Sequence, residues 1–127
     1  MNATPKTLDP TATYVHLPDG GAALPVPVTE TFWSELASGA RDYPGRLMTA
    51  YDVAADMAHW EVHPDGDEVL VLLSGAVDLV FDGADAVALE AGSVCVVPAG
   101  MWHRFLVRQP GRMVAVTAGE GTRHRPL

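Results

Sequence analysis

Four side chains in two short segments have the types and spacing of a metal-ligating set. In the first segment Glu61 and His63 alternate along an extended run, and Glu68 follows five residues after the histidine, ahead of a turn glycine at Gly75. In the second, His103 stands behind a strand-like Val94–Val97 run and a Pro98-Ala-Gly100 turn. Side chains alternate faces along a strand, so Glu61 and His63 project to one side, with His59 in phase. The Pro64-Asp-Gly-Asp67 stretch turns the chain and lets Glu68 return from the next strand. Carboxylate oxygens and imidazole nitrogens converging in this way suit one divalent ion, with zinc, iron, manganese and nickel all compatible. A histidine on its own is more often structural. Four donors in two strand–turn units favour the metal over a buried polar cluster, which would still need partners for its charges.

Donors so placed require strands to hold them. Strand-like runs fall at 46–53, 58–63, 68–73, 77–81, 85–90, 93–97, 102–108 and 112–118, separated by short turn signals such as Asp82-Gly83. Many short strands divided by turns define an all-β sandwich or barrel. Residues 1–44 are expected to form an irregular arm packed on that barrel. Within it Tyr14–Leu17 resembles a short strand. Residues 31–39 resemble a short helix, begun by Thr29 or Thr31 and ended by Gly39, with Phe32, Trp33 and Leu36 as its apolar stripe. Residues 45–118 make the barrel, and 119–127 a solvated C-terminal tail that includes His124.

Alternation also sorts the neighbours of the donors. Trp60 and Trp102 turn outward, away from the pocket. Met101 and Phe105 share the face of His103, and with His59 they are the candidates for a substrate-pocket wall. Val69–Leu73 is apolar on both faces, as in a covered central strand. In 46–53 one face carries Leu47, Thr49 and Tyr51 and the other Met48, Ala50 and Asp52; the pattern does not choose between them.

With 127 residues, the chain fits one domain with its own core. A net charge of −8 repels phosphate backbones and disfavours nucleic acid as a partner. The start lacks a secretory pattern, and no apolar run is long enough for a membrane span. The lone Cys95 cannot form an internal disulfide and fits a reducing cytoplasm. Outward tryptophans and the extended arm suggest a homodimer. No nucleophile elbow, phosphate loop, dinucleotide fingerprint or C-x-x-C pair occurs.

The two segments resemble the paired motifs of a small single-domain cupin. His63, four intervening residues, Glu68, six more and Gly75 match the second half of the first motif; Gly92, Pro98, Gly100 and His103 match the second in order and spacing. Three positions depart from the pattern: Ala55 replaces the leading glycine, Glu61 the first histidine and Val107 the terminal asparagine. The resemblance implies a double-stranded β-helix (jelly-roll) barrel, a metal at its centre, frequent dimers, and oxygenase, isomerase or lyase chemistry on a small molecule. It equally accommodates a non-catalytic metal or small-molecule sensor. Glu61 is then either a fourth ligand beside His63, Glu68 and His103, or a general base next to a three-ligand ion.

Overall fold

A computed structural model describes residues 4–127; the first three residues of the arm lie outside the described residues. In chain order the elements are β1 (Thr13–Leu17), β2 (Leu24–Pro27), α1 (Phe32–Ser38), β3 (Arg46–Val53), β4 (His59–Val62), β5 (Glu68–Phe81), β6 (Ala84–Glu90), β7 (Val94–Val97), β8 (His103–Thr117) and β9 (Arg123–Pro126).

Strands β5 and β8 organise the rest. They run antiparallel over nearly their full length, with Val69 opposite Val116 at one end and Phe81 opposite His103 at the other. Their register shifts around Ser74 and Ala76. Before this corner β5 takes β7 on its free side, and after it β5 takes β6. Beyond its own bend β8 likewise pairs with β3, whereas its first residue pairs with β4. The nine strands thus form one sheet that folds over on itself without closing. Leu70, Leu72, Val77, Leu79, Met113 and Ala115 fill the space between its halves. All are almost completely buried, and apolar burial of this kind is the main stabilising term.

The all-β double-stranded helix expected from the motifs is therefore present, but three boundaries differ. Ser74-Gly75 and Gln109-Pro-Gly111 are bends inside continuous strands, not turns between separate ones. Both are needed at the same place. Gly75 adopts φ +87°, and a Cβ there would lie 2.6 Å from the Gln109 carbonyl oxygen. A Cβ on Gly111 would fall on the Ser74 carbonyl. The corner is a backbone-on-backbone crossing that only glycines permit. Gly111→Ala is expected to cost about 3 kcal/mol or more, at the high end for a single substitution. A urea midpoint unchanged from the parent protein would refute this.

The amino-terminal arm is more ordered than its composition suggests. β1 pairs with β3, and β2 pairs with β1, so the arm extends the sheet by two strands. Helix α1 forms where expected and ends at Gly39 in the left-handed conformation; Thr31 caps its start without a side-chain hydrogen bond. Phe32 is buried in a small cluster with Tyr14 and Leu47, which seats the helix against β1 and β3. The third difference is the carboxyl end. Instead of a solvated tail, residues 123–126 form β9 on the edge of β4. Among the described residues no helix is long and apolar enough to cross a membrane.

Candidate metal centre

The four candidate donors come together. Glu61 and His63 lie on and just beyond β4, Glu68 opens β5 and His103 opens β8. Pairing places Glu61 directly opposite His103, so the first and last donors of the set share one rung. Donor atoms of Glu61, His63 and His103 all lie within 4.8 Å of one another, and these residues could hold a metal ion. Glu68 fits between the rings, with Oε2 at 3.2 Å from His63 Nε2 and Oε1 at 3.3 Å from His103 Nε2. Glu61 Oε2 is farther out, at 3.6 Å and 4.0 Å from the same two nitrogens.

Each histidine has Nδ1 engaged outside the cluster and Nε2 close to the carboxylates. His63 Nε2 is buried, yet no oxygen is aligned with it for a hydrogen bond, although Glu68 is close. Its Nδ1 is engaged 2.8 Å from the Thr122 hydroxyl. His103 Nδ1 donates to the Met101 carbonyl at 3.0 Å, which leaves Nε2 as the inward lone pair. An ion about 2.1 Å from each donor would separate adjacent donors by about 3.0–3.4 Å, close to the spacings Glu68 makes. The mixed nitrogen and oxygen set is of the kind that binds first-row divalent ions. The residues fit such an ion.

Electrostatics in the metal-free cluster reinforce the pairing. Burial alone would lower the His63 ring, but Glu61 and Glu68 outweigh it and push it up to about 9. Burial would raise Glu68; the nearby His103 and His63 rings, the His63 charge and the Thr117 hydroxyl instead bring it down to about 2. Glu61 is held below its ordinary value and His103 above it by the same competition, burial opposing and the neighbouring charges prevailing. Tyr51 moves the other way. Burial, and then the charges of Glu68 and Glu61, raise its phenol far above the usual range, so it stays protonated.

Further residues support the donors, and sequence reading did not anticipate them. The Thr117 hydroxyl donates to Glu68 Oε2 at 2.7 Å. Thr122 holds His63, and His124 Nε2 lies 3.0 Å from Glu61 Oε1, fixing the carboxylate from its outer side. Thr122 and His124 both belong to the carboxyl-terminal segment, and His124 is the direct β9 partner of Glu61. A signal for this was present: Thr122-Arg-His124-Arg alternates small polar groups with arginines, as a strand with two different faces would. The arginine face is used as well. The guanidinium of Arg125 lies over Trp102 and Trp60, 4.5 Å and 5.6 Å from their ring centres, so both tryptophans sit outside the pocket, as alternation required.

A cavity of about 1010 Å³ opens above the donors. Glu61, His63 and Glu68 reach its wall, together with Tyr51 and Thr49 of β3, residues of α1 and the 119–122 loop. The inner face of β3 is therefore the one bearing Leu47, Thr49 and Tyr51. The expected wall residues are elsewhere. Met101 and Phe105 share the His103 face but pack against the core cluster and do not line the cavity. His59 lies at the start of β4, its ring 4.8 Å from that of His124, and does not line the cavity. Strand alternation fixes the face and says nothing about which end of it is open.

Comparison with known proteins agrees with this geometry. The cupin domain family matches residues 47–124, and the chain belongs to that family. A cupin-2 domain protein from Shewanella frigidimarina shares 20% identity and a TM-score of 0.53, with 61% of this chain and 74% of the other covered. A double-stranded β-helix protein from Klebsiella pneumoniae shares 17% identity and a TM-score of 0.54 over 65% and 76% of the two chains. An oxalate oxidase in complex with the substrate analogue glycolate shares 19% identity and a TM-score of 0.52 over 62% of this chain and 45% of that enzyme. These likenesses define the fold. No curated protein matches the chain in sequence.

Proposed function

We propose that this cupin binds one divalent metal ion through Glu61, His63, Glu68 and His103 and uses it to act on a small molecule admitted through the cavity above. The carrying observation is His63 Nε2: buried, without an aligned partner, and belonging to a residue of the cavity wall. A closed four-ligand site would suit a purely structural ion, whereas an adjoining cavity leaves room for a substrate beside it. When bound, the ion supplies Lewis acidity or, if iron, manganese or nickel, redox capacity. The chain's own groups would do the rest. Tyr51, kept protonated, can donate a hydrogen bond to a substrate oxygen, and Glu61 is the carboxylate best placed to take up a proton. Its attachment to His124 favours a ligand role in the resting site. That one neighbour is an oxalate oxidase speaks for small-molecule chemistry on this fold without choosing the reaction.

Glu61→Gln is expected to weaken metal binding by about 10–100-fold, because an amide oxygen is a far poorer ligand than a carboxylate and loses its charge pairing. Competition with a chelating dye measures it. Unchanged metal affinity would reassign Glu61 as a base, and a parent protein that takes up no stoichiometric metal would sink the proposal.

The same reading takes the chain to be a homodimer, and a sheet face favours it. On the outer side of the sheet Met48, Val116, Val69 and Val96 lie in register, with Val114, Val71 and Val94 in the adjoining row. Val94 and Val96 are more than half exposed. An uncharged row of this length is complementary to its own copy. Val96→Glu should convert a dimer to a monomer in sedimentation; a parent protein that is already monomeric at micromolar concentration would refute the dimer. Assignment to the cytoplasm rests only on the single, unpaired Cys95.

A further inference from the structure

The cavity charge narrows the class of molecule that the proposed metal site accepts. Its walls include four carboxylates, Glu61, Glu68, Asp42 and Glu120, against one guanidinium, Arg41. That guanidinium is already committed, with Nε 2.5 Å from Glu35 Oε2. Two of the carboxylates belong to the proposed ligand set and cancel the charge of a divalent ion; for the other two, Asp42 and Glu120, no lysine or arginine among the described residues of the cavity forms an ion pair. A site with histidine at position 61 would carry one more positive charge than this one. The chain as a whole, at −8, adds to the same field.

Much of the apolar wall comes from α1 and the residues after it. Trp33 and Leu36 of α1 and Tyr43 after it line the outer cavity, and Trp33 is half exposed. An exposed indole beside carboxylates suits an aromatic or aliphatic body, and it stabilises a cation over its face.

We infer that the cavity selects neutral or cationic small molecules that offer two neighbouring oxygens to the metal and an apolar body to Trp33, and that it rejects anions. The inference rests on the metal-binding reading above. It separates this chain by charge from an enzyme for a dianion such as oxalate, despite the shared fold.

A matched series of chelators tests it. Catechol, 3,4-dihydroxyphenethylamine and 3,4-dihydroxybenzoate present the same oxygen pair and an aromatic ring with neutral, positive and negative substituents. Each is titrated calorimetrically into protein loaded with zinc, after metal stoichiometry has been measured. The amine is expected to bind at least about tenfold more tightly than the carboxylate, with catechol between them, and the gap should shrink as ionic strength rises from about 0.05 to about 0.5 M. The double variant Asp42→Asn, Glu120→Gln keeps all four metal donors. It should retain zinc stoichiometry and narrow the gap by about threefold or more. Trp33→Ala should weaken all three probes while leaving zinc binding unchanged. If zinc binds and the carboxylate equals or exceeds the amine, or if none of the probes binds, the inference fails and the metal reading stands. If zinc does not bind, both fail.

Discussion

Replacing His63 or His103 by alanine is expected to lower zinc or cobalt affinity by about 100-fold or more. Structural zinc sites built from four side chains are worth roughly 10–16 kcal/mol, so each ligand carries about 3 kcal/mol even after the others adjust. His63 is the more sensitive position, because it takes part in two arrangements. With metal, its Nε2 is a donor; without metal, the protonated ring lies between the carboxylates of Glu61 and Glu68, at 3.6 Å and 3.2 Å. His63→Ala therefore removes a ligand and leaves two carboxylates sharing a site with one fewer cation. Breaking a buried pair in this way typically costs about 3–5 kcal/mol. His103→Ala loses a ligand too, but Glu68 keeps the His63 ring 3.2 Å away and the hydrogen bond from Thr117. The two variants should lose metal similarly and differ in stability, His63→Ala being the weaker. Dye competition and urea unfolding, with circular dichroism as a check on the fold, measure both. Metal affinity within threefold of the parent in either variant would remove that residue from the site.

The second large effect is one of pH, and it has opposite signs for stability and for metal affinity. In the metal-free protein His63 is raised from an ordinary 6.5 to about 9. The folded state then holds this proton where the unfolded chain has released it. The stabilisation is fully present below pH 6.5 and is lost as pH climbs from 6.5 to about 9. His103, also raised, acts in the same direction. Glu68 is depressed from 4.5 to about 2, so its contribution is present above pH 4.5 and is lost on acidification from 4.5 to about 2. Both shifts describe the same ion pairs and count once, for about 3 kcal/mol at most. Metal-free protein should therefore be most stable between pH 4.5 and 6.5 and weaken toward pH 9.

Metal binding does the reverse. The ion must displace the His63 proton, so apparent affinity should rise with pH until the ring titrates, by about tenfold per unit for each proton released. Chelator-treated protein unfolded in urea across this range, with parallel metal titrations, checks both slopes. A flat stability profile from pH 6.5 to 9 would show that the cluster is not held by the histidine charge.

Much of the centre was legible in advance because its donors obey local rules. Period-two alternation aligned Glu61 with His63, and the turns before Glu68 and His103 returned the chain at the right place. What local rules could not supply was long-range pairing. Met101 and Phe105 share the His103 face, yet the cavity is lined by α1, β3 and the other end of β8, at Ala115 and Thr117. For His124, in the terminal segment, a solvated tail is a simpler reading of the sequence than a loop near the site. Its role depends on pairing with Glu61, 63 residues earlier in the chain. Thr122 and His63 are separated by 59 residues, and no periodicity connects them.

The same distinction applies to the fold. Turn residues marked every break in the strand pattern, but at Ser74-Gly75 and Pro110-Gly111 the break is a bend in a continuous strand. Only the crossing of the two backbones explains why glycine stands at both. By itself the sequence determined the donor types, their strand faces and the all-β class, which follow from side-chain chemistry and nearest-neighbour geometry, while the jelly-roll form was implied by the resemblance of its two motifs to those of a cupin. Tertiary structure alone decided the rest. It made the last residues a strand paired with β4 beside the candidate donors, set α1 in the cavity wall, and left Glu61 between His124 and the donor cluster. Those outcomes depend on which distant edges pair, and pairing is a property of the whole folded chain.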